Sequence, residues 1–343
     1  MKRFLAAVTF LLIGMANGDG RAWAGPTFDT IRTNGAVTCG LSTGLAGFAV
    51  AEKDTKPVGL DADICRAVAA AIFGTPDKVK FVGVTADQRI SALQSGQVDL
   101  EVIDAAIVVD KLNASGVSLA PAVFYDGAGF LVPRSLGVRS ARQLSGATVC
   151  YLQASPDEQH LANYFHGNKL DLKPAVYKSV ADIDQAFFYG RCDAYMTDVL
   201  ALANMRITKA VNPEDFTILP ERISKSQLAP ALRNNDKGFY NLVRWTVFTL
   251  IEAEERGVTA RNAADLVKSD DPGLRHLLGT EPDTERALSP DDKRAVNVIR
   301  AVGNYGEIFA RNIGEQSQLR LARGQNALFL NTVNGLIASP QVQ

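Results

Sequence analysis

Strand-length apolar runs alternate with helix-spaced segments twice along the chain, and this doubled alternation limits the folds available more than any other feature. In the first half, Ala36–Leu41 reads as a strand. Leu60, Ile64, Ala67, Val68, Ala71 and Ile72 then fall at helical spacing across Asp61–Phe73. Val79–Val84 is a second strand, and Thr85-Ala86-Asp87-Gln88 has the pattern of a capping box opening a helix through Ser95. Gly96 stops that helix before a third strand at Val98–Ile103. The second half repeats the order from Gly146: strand Ala147–Leu152, helix from Ser155 to Phe165, strand Pro174–Tyr177, helix Val180–Tyr189, strand Ala194–Thr197. Ser155-Pro156-Asp157-Glu158 places Ser at the N-cap, Pro at N1 and Glu at N3, the strongest local signal in the sequence. Two βαβαβ units predict two lobes, each a mostly parallel sheet covered by helices. From Lys237 onward the pattern turns helical, over Phe239–Arg256, Thr259–Lys268, Pro290–Val302 and Tyr305–Ile313.

The first 24 residues stand apart. Lys2 and Arg3 precede an apolar run from Phe4 to Met15, and Ala22-Trp23-Ala24 supplies small residues at a cleavage position. This is the order of a secretory leader, and its apolar run is too short to span a bilayer. The leader holds Lys2, Arg3 and Arg21 against Asp19, so its removal takes the formal charge from −1 to −3. No later stretch reaches membrane-span length, and the chain is expected to be exported. A near-neutral chain of pI about 6.3 lacks the basic footprint of a nucleic-acid binder. Three histidines in 343 residues make a metal centre or a histidine-based hydrolase a poor expectation, and no cofactor is anticipated.

Export places Cys39, Cys65, Cys150 and Cys192 in an oxidising compartment, where three pairings are open. Pairing within each half, Cys39 with Cys65 and Cys150 with Cys192, is the simplest connectivity. A zinc site is disfavoured because no CxxC spacing or nearby His pair is present.

In open α/β sheets, ligands sit beyond the carboxyl ends of strands and at helix starts. The turns that meet this description carry Leu45, Gly47 and Phe48; Asp104 to Lys111; Ala154 to Asp157; and Thr197 with Asp198. Each has a plain alternative. Asp198 before the apolar run at Val199 could be an ordinary helix cap, Lys111 a solvated surface charge, and Phe48, Tyr125 and Phe130 core packing.

Several blocks resemble the general polar amino-acid-binding proteins of ABC importers. They are Asp63 to Ala71, Phe124-Tyr125-Asp126-Gly127, Leu219-Pro220-Glu221 with Ile223-Ser224-Lys225, Gly190 to Tyr195, Gly303 to Phe309, and Ala322-Arg323-Gly324. The resemblance runs through nearly the whole mature chain in one order, with all four cysteines in register. It implies a two-lobed type II periplasmic binding-protein fold with a helical C-terminal extension. It also supports the two local disulfides, and the pairing of a small-molecule solute with a membrane permease, most simply for a monomer. The expected layout is a leader at 1–24, a first lobe from 25–133 and a second from 134–224. Residues 225–343 would return to the first lobe and form the extension.

The turns at the strand ends and the resemblance together give Phe48, Asp104, Ala106, Lys111, Ser155 and Asp198 as solute-facing positions, the resemblance bearing on Ala106, Lys111, the helix start at Ser155 and Asp198. Here the sequence departs from the pattern. Lys111 stands where the family has an Arg that grips the solute's α-carboxylate, and Ala106 where a Thr assists it. Lysine is a point charge without the planar fork, so the swap changes the chemistry. The family's Gly-Thr-Thr-Thr at the second lobe's helix start is Ala154-Ser155-Pro156-Asp157, with no amide at Pro156 and a negative charge at Asp157. Asp198 is kept, at the position that meets the solute's ammonium group. Two other readings remain open: a periplasmic cyclohexadienyl-type dehydratase on the same fold, and a paralogue that binds no solute and serves as a sensor or adaptor.

Overall fold

The computed structural model describes residues 25–42, 47–48, 56–104, 115–279, 294–330 and 332–340. The leader, Leu45, Ala106 and Lys111 lie outside the described residues.

The first lobe opens with helix α1 (Pro26–Asn34) and strand β1 (Val37–Ser42), then α2 (Leu60–Phe73), β2 (Val79–Val84), α3 (Arg89–Ser95) and β3 (Leu100–Asp104). β1 runs parallel to both β2 and β3, with Cys39 opposite Phe81 and Leu100. Alternation along β3 explains the burial. Leu100 and Val102 face the core shared with α2, while Ile103 joins Val84, Ala92 and Leu93 beneath α3. The expected capping box at Thr85 does not form. The Thr85 hydroxyl bonds the Asp87 carboxylate at 2.6 Å, closing a turn, and α3 begins only at Arg89.

Short strands β4 (Val117–Leu119) and β5 (Phe124–Asp126) follow, and then β6 (Ala128–Pro133). β6 corrects the expected boundary at 133: it pairs with the second sheet, so the chain leaves the first lobe at Gly127. The second lobe contains β7 (Thr148–Leu152), α4 (Pro156–Gly167), β8 (Lys173–Tyr177), α5 (Val180–Phe188), β9 (Ala194–Asp198), α6 (Val199–Lys209) and β10 (Phe216–Ile218). Strand β11 (Ser226–Arg233) returns to the first sheet, antiparallel to β3, β4 and β5. The sheet orders are β2-β1-β3-β11-β4, with β5 also on β11, and β10-β6-β9-β7-β8. Both sheets are therefore mixed. The parallel βαβ cores were legible in the sequence, and the antiparallel strands come from the crossing segments between them.

The remaining helices are α7 (Lys237–Glu255), α8 (Ala263–Leu266), α9 (Pro272–Leu277), α10 (Arg294–Val302) and α11 (Tyr305–Asn312). Val298, Val302, Tyr305, Ile308 and Phe309 share one core with Ile64 and Val68 of α2 and Val243 and Val247 of α7. The extension thus supplies the outer cover of the first lobe. The Cys39–Cys65 bond ties β1 to α2 and the Cys150–Cys192 bond ties β7 to the turn before β9, as the local pairing anticipates.

Candidate functional site

Two strands join the lobes side by side: β5 through Gly127 into β6, and the segment Ile223-Ser224-Lys225 into β11. Ser226 pairs with Asp126 on the first-lobe side, and Ala128 pairs with Asp198 on the other. The Ala128 amide donates to the Ser224 hydroxyl at 2.8 Å, and the Ile223 amide to the Ala128 carbonyl at 2.8 Å. A Cβ at Gly127 would collide with the Ser224 carbonyl oxygen, so the crossing requires glycine there.

Asp198 ends β9 beside this crossing and occupies the N-cap of α6. Its side chain makes no capping hydrogen bond. The first two amides of the helix are satisfied from elsewhere. The Val199 amide donates to the Gly127 carbonyl at 3.1 Å, and the Leu200 amide to Asp126 Oδ2 at 3.3 Å. The plain alternative of Asp198 as a helix cap therefore fails on geometry, because Asp126 holds that place and leaves the Asp198 carboxylate uncommitted.

The surroundings of Asp198 are acidic. Burial, followed by the charges of Asp126, Asp157 and Asp104, pushes its carboxyl up to about 7. Asp126 is raised to about 6, again by burial first. Backbone amides of Gly127, Leu200 and Val199 and the Arg222 guanidinium pull it the other way. Asp157 lies in the first turn of α4. Burial raises it, while a hydrogen bond from Thr197 and the nearby His160 oppose the rise. Asp104 at the end of β3 accepts from the Ser226 hydroxyl at 3.1 Å. Carboxylates from both lobes thus converge on one place, which can stabilise a cation and repels an anion. Arg222 donates to the carbonyls of Leu219, Pro220 and Glu221.

Of the six expected solute-facing positions, the structure brings Asp104 and Asp198 together. Ser155 is half-buried near α4, but its hydroxyl donates to the Leu152 carbonyl at 2.8 Å and caps nothing. Phe48 is a correction. Its ring has no exposed surface and packs edge-on to Phe124 at 5.1 Å, in the first-lobe core, so it offers no face to a solute. Ala106 and Lys111 fall outside the described residues. Thr197, named with Asp198 among the turn residues, contributes through its bond to Asp157. Asp126 is new to the site, and the spacing of the sequence does not mark it, since its partner amide lies 74 residues away. Ala154, in the turn between β7 and α4, holds φ +56°, a left-handed conformation that glycine adopts freely and alanine does not. Among the described residues no cluster of metal-ligating side chains occurs, and no helix is long and apolar enough to cross a membrane.

Residues 37–315 match the family of bacterial extracellular solute-binding proteins, family 3. The chain belongs to this family. Among relatives of this solute-binding protein, the general L-amino acid-binding periplasmic protein AapJ of Rhizobium johnstonii is 42% identical over 305 residues, covering 88% of this chain and 89% of the relative. The glutamate/glutamine/aspartate/asparagine-binding protein BztA of Rhodobacter capsulatus is 39% identical over 315 residues, 92% of each. A periplasmic binding protein from Brucella ovis solved with glutathione bound is 41% identical with a TM-score of 0.76, covering 92% of this chain and 98% of that one.

Proposed function

We propose that the protein captures a small amine-bearing solute of the amino-acid class between its lobes and delivers it to the membrane permease of an ABC importer. It acts as a binder and not as an enzyme, in the periplasm, after export by the leader at 1–24. Asp198 receives the solute's ammonium group. The observation that carries this reading is the N-cap position of Asp198 with no capping bond, its carboxylate half-buried among Asp126, Asp157 and Asp104. The relatives' names support the solute class, since amino acids and glutathione share an α-ammonium group. Lys111 partly replaces the forked arginine that the family resemblance calls for at the carboxylate. With Asp157 at the α4 start, the protein holds an α-carboxylate weakly and favours solutes carrying a further cationic group.

A thermal-shift panel of the twenty amino acids, their amides, small polyamines and dicarboxylates tests this. A ligand specific to the folded state adds about 2.7 kcal/mol at a hundredfold excess over Kd. Cationic solutes should shift the transition most, and dicarboxylates least. Asp198→Ala should weaken the best responder by roughly 30-fold or more, because unpairing a buried charge costs about 2–5 kcal/mol. Full response to neutral amino acids with affinity unchanged in Asp198→Ala would overturn the assignment. No response to any solute would favour a sensor or adaptor role instead.

A further inference from the structure

The start of α6 is capped from the other lobe. An N-cap aspartate ordinarily accepts from the amide two or three residues on, closing its own helix. Asp198 does not, and the Leu200 amide instead reaches Asp126 Oδ2 at 3.3 Å. Asp126 sits on β5, which pairs with β11 of the first sheet, whereas α6 follows β9 of the second. The bond therefore spans the lobe crossing, one residue from Gly127. Asp126 is 5% exposed, and its other oxygen, Oδ1, is buried without a hydrogen-bond partner. A buried carboxylate left half-satisfied is costly to keep for capping alone, since a neutral Asn or Ser would accept the same amide.

We infer that Asp126 is the positioning residue for the solute-binding carboxylate: it caps α6 across the lobe crossing, so that Asp198 faces the solute unencumbered, and its charge tunes that of Asp198. This inference rests on Asp198 as the solute's contact, and it adds a residue that touches the helix and not the solute. Of the charges that raise Asp198, that of Asp126 acts most strongly, ahead of Asp157 and Asp104, while the charge of Arg222, the residue before the second crossing segment, opposes the rise at Asp126. A cation arriving at Asp198 also lessens the repulsion borne by Asp126. Capture and lobe position share one buried contact.

Two variants of the full mature chain separate the two roles. Asp126→Asn keeps an acceptor oxygen for the Leu200 amide and removes the charge; Asp126→Ala removes both. In the solute-free protein, carboxyl-resolved NMR titration of Asp198 should show its midpoint falling by at least half a pH unit in Asp126→Asn. Hydrogen exchange of the Leu200 amide should accelerate at least tenfold in Asp126→Ala and stay within threefold of the parent in Asp126→Asn. With L-lysine and L-glutamine as probes, affinity should fall at least tenfold in Asp126→Ala and be largely rescued in Asp126→Asn. An Asp198 midpoint unmoved in Asp126→Asn would overturn the tuning role. Equal affinity in the Ala and parent proteins would overturn the positioning role. Should Asp126→Ala not fold, the Asn titration still decides the former, and Asp126→Ser, which keeps a shorter acceptor, replaces it for the latter. Failure of the solute assignment looks different: neither probe binds the parent, while the titration and exchange results stand.

Discussion

Replacing Asp198 with Asn should make the solute-free protein more stable at alkaline pH while weakening its hold on a cationic solute. Asp198 ionises near 7 in the fold against 3.8 for a free side chain, so the native state binds its proton more tightly than the unfolded chain does. The sign follows from linkage. Where the native state holds more protons, stability falls as pH rises. The contribution of this group is thus fully present below about pH 4 and is lost as pH climbs through about 7. A rise of about three units corresponds to about 4 kcal/mol, and water screening at a half-buried carboxylate brings the expectation to roughly 2–4 kcal/mol. An amide side chain carries no charge to desolvate, so Asp198→Asn should gain that amount over the parent at pH 8 and almost nothing at pH 4. For a chain of this length, this is a Tm difference of about 3–6 °C at pH 8. Differential scanning calorimetry of both solute-free proteins at the two pH values reads it directly, as titrating groups away from the Asp198 cluster cancel in the difference. The lowered repulsion on Asp126 and Asp157 adds to the gain in the same direction. An Asp198→Asn protein no more stable than the parent at pH 8, or equally stabilised at pH 4, would refute the reasoning.

Thiol titration of the denatured, unreduced mature protein should find none of the four cysteines free, and Cys39→Ser with Cys65→Ser should cost about 3–4 kcal/mol by loss of the constraint on the unfolded chain. Gly127→Ala should destabilise by about 1–3 kcal/mol, because the new methyl meets the Ser224 carbonyl and no rotamer can relieve a backbone collision; an unchanged denaturation midpoint would remove Gly127 from the crossing's requirements. Ala154→Gly should equal or exceed the parent in stability by up to about 1 kcal/mol, since relief of the left-handed strain outweighs the glycine's extra entropy. Ala154→Val should lose stability, and urea melts of the pair distinguish the two.

The parallel half of each lobe was legible because it is local. Val79–Val84 matches β2 end to end, and Asp61–Phe73 misses α2 by one residue, since apolar spacing alone places such elements. The crossing strands were not. β5 and β11 owe their pairing to each other across about a hundred residues, and the boundary expected at 133 puts β6 in the wrong lobe because nothing local says which sheet receives it. Local capping rules misled in the same way. Thr85 and Ser155 both carry the right residue type before a helix, yet one hydroxyl bonds Asp87 and the other bonds the Leu152 carbonyl. A hydroxyl takes the nearest good acceptor, and sequence spacing does not say which acceptor the backbone brings near.

The blocks that carried the family resemblance turn out to be joints of the scaffold, which explains why they identify the fold better than the solute. Asp63 receives Arg311 at 2.8 Å and the Asn312 amide group at 2.7 Å, fastening α2 to α11. Arg323 forks onto Glu254 at 2.9 and 3.1 Å and lies over the rings of Tyr305 and Phe309, locking the final segment to α7. Asn304 and Glu307 close a capping box at the start of α11, and Asp193 accepts the Thr148 amide at 2.7 Å to set β7 against β9. Glu221 receives the Ser140 hydroxyl and the Ala141 amide. None of these contacts reaches Asp198. The departures from the family pattern lie elsewhere in the sequence: Ala154, Pro156 and Asp157 at the start of α4, and Ala106 and Lys111 in the segment that follows Asp104. A frame tied by distant ion pairs and caps can keep its shape while the turns between its lobes change charge. Asp126 is part of a resemblance block and also caps the helix that follows Asp198. It is therefore the position where a change of solute would be felt by the scaffold, and where a scaffold mutation would be felt by the solute.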